Sequence, residues 1–183
     1  MRGRKTRNRV GIGVRDALIG GMAGAAALTT VHQAALGLVS RPPRMDRVGM
    51  RAIARGMHAL GGDPPRGRKL YGLTLAGDLA ANAAYYALAG LSRRRPVAAA
   101  TALGLAAGIG ALALPRRLGL DDPPHSDAAD NQAMTIAWYT IGGITAGAVM
   151  AALGRRRTRP SATPRRIARI RTPSAEWRRA EDL

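Results

Sequence analysis

Four stretches of twenty or more residues, each with at most one charged side chain, limit what this chain can become. Ala17 to Ser40 and Ala133 to Leu153 contain no Asp, Glu, Lys or Arg, and neither does Pro96 to Pro115. Leu70 to Ser92 contains one, Asp78. A bilayer core about 30 Å thick needs roughly 20 helical residues at about 1.5 Å each. Four such runs in 183 residues predict an all-α polytopic membrane protein with four transmembrane helices, over 17–40, 70–92, 96–115 and 133–153. The competing reading is a soluble Ala-rich bundle. A soluble core leans on aromatics for much of its buried area, and here aromatics are 3% with no Phe. With no cysteine, disulfides, thiolate metal sites and a cysteine nucleophile are excluded.

The charge sits between these stretches. Lys and Arg number 29 against 11 acids, a formal charge of +18. The chain therefore divides into a basic N-terminus over 1–16, a membrane domain over 17–153 and a tail over 154–183. The tail carries ten arginines, three acids and three prolines, cannot bury a core, and is expected to be largely disordered. Positive charge favours the cytoplasmic side, which places both termini in the cytoplasm of a bacterial inner membrane. Eight basic residues between Arg41 and Lys69 oppose that orientation. If the first segment failed to span, that connection would be cytoplasmic, but the ten-arginine tail would lie outside.

That connection also predicts a basic amphipathic helix. Arg44, Arg47, Arg51, Arg55 and His58 recur at helical spacing, a stripe suited to anionic headgroups; a helix packed on the end of the bundle is the alternative. Pro42 and Pro43 precede it, and Gly61, Gly62, Pro64 and Pro65 end it. Membrane lipids with anionic headgroups are the expected partners of the tail too. Nucleic acid, which the tail could hold nonspecifically, is the weaker expectation.

Lipid offers helices no hydrophobic contrast, so association relies on close backbone approach. Gly20 and Gly24, Gly104 and Gly108, and Gly143 and Gly147 have the required small-xxx-small spacing. Alanine- and glycine-rich composition produces the same spacing by chance. Such faces also allow a homo-oligomer. Arg93, Arg94, Arg95 and Pro96 leave so short a turn that the second and third spans are expected to pack as a hairpin.

A charge inside a span is a functional candidate, because placing it there is costly. Thr74, Asp78 and Asn82 recur every four residues on one face, with Tyr85 and Tyr86 one turn on and His32 and Gln33 in the first span. The six leucines of the second span contribute roughly −2 to −4 kcal/mol to insertion, nearly cancelled by one central Asp at about +2.5 to +3.5 kcal/mol. The polar face reads either as a proton or cation relay or as interhelical glue. The acidic connection holds His125, Asp127 and Asp130, weak candidates for a divalent cation or for a membrane enzyme at the outer surface. Capping of the fourth span by Ser126 or Asp127 explains the acids better. Trp138 and Tyr139 suit an interfacial belt. No Ser-His-Asp spacing or P-loop is present, and Gly11-x-Gly13 precedes a span without a strand, so no cofactor and no catalytic residue are expected.

Gly21-Met22-Ala23-Gly24, an apolar helix and then Arg41-Pro42-Pro43-Arg44 resemble the start of the small YagU-like bacterial inner-membrane proteins. The resemblance covers only that region and implies a location rather than a mechanism. The function expected from the sequence is a structural or accessory role in the membrane. The alternative is a small proton- or cation-coupled transporter using Asp78.

Overall fold

The computed structural model describes residues 12–120 and 127–158, and every regular element among them is helical. The helices are α1 (Val14–Leu38), α2 (Met45–Ala59), α3 (Arg68–Ala87), α4 (Pro96–Arg117) and α5 (Ala129–Thr158), with a 3-10 turn at Leu88–Leu91 after α3.

Their ends follow local chemistry. Asp16 accepts a 3.1 Å bond from the Gly13 N–H, complementing the positive end of α1. Pro96 stands in the first turn of α4, where its missing N–H costs nothing. Both α2 and α4 close with a left-handed glycine, Gly61 at φ 76° and Gly119 at φ 68°. At α4 the Gly119 N–H reaches the Arg116 carbonyl and the Leu120 N–H the Pro115 carbonyl, the paired bonds that cap a helix C-terminus. Ala128 accepts the first backbone bonds of α5 and stands just before its first residue; Ser126 lies outside the described residues. The helix then runs on through Arg155, Arg156 and Arg157, past the predicted start of the tail. These cations suit the negative end of a helix, and Arg157 pairs with Asp16 at 3.5 Å. The rest of the tail, 159–183, lies outside the described residues.

The helices form an open row in the order α3, α1, α5, α4. Glycines set the spacing. A Cβ on Gly24 would lie 2.7 Å from the Ala146 Cβ, and one on Gly20 would meet the Met150 side chain. On the other face of α5, a Cβ on Gly147 would come 2.5 Å from the Val97 Cα and one on Gly143 would meet the Ala100 carbonyl. Gly104 and Gly108 approach Tyr139 and Ile136 in the same way. All three glycine pairs are therefore spent on contacts within the chain. Self-association would need another surface.

The expected hairpin of the second and third spans is not formed. Although a short turn joins them, α3 and α4 scarcely touch. The α3 face turned toward α4 carries Leu75, Asp78 and Tyr85, larger residues than the glycines through which α4 and α5 meet. Instead α3 packs on α1, where Gly21 meets the Ala83 carbonyl and Gly90 meets Ala17.

Two helices, α4 and α5, are long and apolar enough to cross a membrane. The sequence reading expected four. By length α1 and α3 qualify, but glycine, His32 and Gln33 in the first and Arg68, Lys69, Asp78 and Asn82 in the second lower their hydropathy. Only 17% of the most apolar stretch of α4 and 33% of that of α5 is buried. A soluble core helix hides its apolar surface, whereas α4 leaves Leu105, Ile109 and Leu114 exposed.

Candidate functional site: a polar cavity between two splayed helices

The gap between α3 and α4 is a cavity of about 580 Å³. It is backed by α1 and α5 and covered at one end by the first half of α2. Its size falls within the usual range for small-molecule sites, about 300–1,000 Å³. All four residues singled out on the intramembrane face, Thr74, Asp78, Asn82 and His32, line it.

Asp78 is an exposed residue whose surface opens into the cavity. Its carboxylate accepts a 2.9 Å hydrogen bond from the Asn82 amide, which also donates to the Asp78 backbone carbonyl at 2.9 Å. Both bonds stay within α3, so among the described residues Asp78 ties its helix to no neighbour. The Thr74 hydroxyl donates to the Leu70 carbonyl at 2.8 Å, an ordinary in-helix bond. Tyrosines bond from α3 to its neighbours. Tyr85 donates to the Leu103 carbonyl of α4 at 3.2 Å, and the fully buried Tyr86 donates to the Tyr139 carbonyl of α5 at 2.8 Å. Of the two, Tyr85 lines the cavity. Near α2, Tyr71 donates to Gln33 at 2.8 Å.

His32 stacks against Trp138 with ring centroids 5.1 Å apart, and its Nε2 is buried with no hydrogen-bond partner. Trp138 and Tyr139 therefore line the interior, correcting the interfacial belt; Trp138 is only 4% exposed. Along α4, Pro115 has no N–H to offer the Ala111 carbonyl one turn back, and both residues line the cavity.

The arginines of α2 do not act as one free stripe. Arg44 binds Asp46 through two bonds of 2.9 and 2.7 Å. Arg55 donates to the Leu118 and Gly119 carbonyls at 3.3 and 2.7 Å, joining α2 to the end of α4, where a cation suits the helix dipole. Arg51 is half-buried and Arg47 is exposed. On its other side α2 packs on α3, with Gly49 against Thr74. The loop before α2 is held as well, by the Asn131 amide donating to the Arg41 carbonyl at 3.0 Å.

Burial would push the Asp46 carboxyl up, but the hydrogen bonds and charge of Arg44 outweigh it and hold the group below the usual carboxylate range. A depressed carboxylate stabilises the fold above its unfolded value, about 3.9, and loses that contribution as pH falls through the folded value. Protection of α2 amides against hydrogen exchange, relative to their intrinsic rates, should therefore fall selectively below about pH 4. Asp46→Asn should remove most of that acid dependence; an unchanged profile would count against the Arg44 pair as the hold on α2.

In the acidic connection, Asp127 and Asp130 are exposed, and His125 lies outside the described residues. Among the described residues no three His, Cys, Asp or Glu side chains converge on a metal-sized site.

Comparison with known proteins finds no matching family model, no matching curated protein and no matching solved structure. The functional reading therefore rests on the cavity itself.

Proposed function

We propose that this chain is a four-span membrane protein and that the cavity between α3 and α4 is a binding and transfer site for a proton or cation, with Asp78 as the exchanging group. Helices α1, α3, α4 and α5 are the spans, and α2 lies at the outer end. Charge asymmetry favours cytoplasmic termini. The Asp16–Arg157 pair, joining the start of α1 to the end of α5, supports an even number of crossings. The low hydropathy of α1 and α3 fits helices whose polar groups turn into a cavity rather than toward lipid.

One observation carries the transport reading. The carboxylate of Asp78 opens into a cavity and, among the described residues, bonds only along its own helix, which is what an exchanging group requires and a helix-to-helix tether does not. The structural or accessory role is the second reading, favoured by the glycine contacts that account for helix association without Asp78. The resemblance to YagU-like proteins is compatible with either.

Reconstitution into liposomes holding a pH-sensitive dye tests the choice. Under an imposed proton or potassium gradient, the protein should conduct, and Asp78→Asn should reduce the rate to that of empty liposomes. Equal rates for the two proteins would reject the transport reading. Reporter fusions after Arg95 and at the C-terminus should read cytoplasm, and a fusion near Asp63 should read the outer side. A cytoplasmic signal near Asp63 would reject the four-span arrangement.

A further inference from the structure

The composition of the cavity narrows what it accepts. We propose that it takes a compact organic cation, an ammonium or phosphonium bearing alkyl or aryl groups, with Asp78 as the counter-ion. This assignment rests on the transport reading of the same site.

Charge is the first argument. Two carboxylates line the cavity and no Lys or Arg does. Asp46 is already neutralised by Arg44. That leaves Asp78 as the carboxylate without a cationic partner among the described residues, so an occupant carrying one positive charge complements the site. An anion would face an uncompensated carboxylate, which is strongly unfavourable away from water.

Aromatic side chains concentrate at this cavity. The chain has two Trp, four Tyr and no Phe. Four of these six rings, Tyr71, Tyr85, Trp138 and Tyr139, line this one cavity. Rings present a negative face to a cation, most effectively where water is excluded. A hydrated inorganic ion gains little from such a wall, whereas a weakly hydrated organic cation gains both from the rings and from the apolar surface around them. The opposite wall is the alanine- and leucine-rich face of α4, suited to alkyl or aryl groups.

Titration of the full chain in lipid nanodiscs with tetraphenylphosphonium tests this. Trp177→Phe, in the tail, leaves Trp138 as the fluorescent reporter. A saturable change in Trp138 emission is expected, unaffected by equal concentrations of sodium. Asp78→Asn should weaken binding on the order of 30-fold or more, the scale for removing one partner of a buried charge pair, and Asp78→Glu should restore much of it. Binding of equal affinity in Asp78→Asn would overturn the assignment, since the probe would then merely be partitioning into an apolar gap. Asp78-dependent flux with no saturable probe binding would overturn the organic cation alone and leave the proton or inorganic cation. Loss of both would remove both readings.

Discussion

Gly143→Ala should destabilise the protein by about 1–3 kcal/mol, the usual cost of overpacking, and lower its Tm in detergent by roughly 2–12 °C. The added Cβ would strike the Ala100 carbonyl and sit 3.2 Å from the Gly104 Cα. Neither can move without shifting the backbone of α4. Alanine is the better helix former by about 1 kcal/mol, so the loss must come from the interface. Gly37→Ala is the matched control, because nothing lies within 4 Å of its added Cβ; it should leave stability unchanged or slightly raised. Gly143→Leu should go further and separate the two helices, visible as new cross-linking or protease access along α4. If Gly143→Ala melts with Gly37→Ala, the antiparallel register of α4 on α5 is wrong.

Asp78→Leu should produce the largest separation of stability from function. The substitution replaces a central carboxylate by leucine, making insertion of α3 about 3–4 kcal/mol more favourable. The side chain enters a cavity rather than a packed contact, so no overpacking offsets the gain. Asn82 loses its side-chain acceptor but keeps the Asp78 backbone carbonyl, which it already meets at 2.9 Å. Melting temperature should rise or hold while proton or cation flux falls to background. Functional sites commonly carry such a conflict, in which the residue that acts also destabilises. A large fall in Tm with Asp78→Leu would instead make the carboxylate part of the scaffold.

How much of the cavity was legible in the chain depends on the residue. The i, i+4, i+8 spacing of Thr74, Asp78 and Asn82 is enough to place them on one face, because helical periodicity is local. His32 was marked by its position in an uncharged run. Its neighbour Trp138, 106 positions later, carries no local mark of facing inward. An aromatic near the end of a span suits an interfacial belt as well as an interior, and only the partner helix distinguishes them. Asp46 and Tyr71 read as ordinary connection and helix-start residues until α2 is laid over the cavity.

Within the described residues, what the sequence determined by itself is the helices and their punctuation. Long uncharged runs, Pro96 at a helix start, and Gly61 and Gly119 just past helix ends are consequences of backbone geometry and hydrogen bonding within a few residues. What only the tertiary structure decided is who touches whom. Gly20, Gly21 and Gly24 lie on adjacent faces of α1, yet the first meets α5, the second meets α3 and the third meets α5 and Tyr86 of α3. The sequence carries glycine at all three without saying which helix approaches each. The turn at Arg93 to Arg95 invited a hairpin that did not form. The closest packing is between helices that meet through glycine, and the α3 face toward α4 carries Leu75, Asp78 and Tyr85 instead. The cavity is the space left between α3 and α4, a property of four helices together that no single stretch of the chain contains.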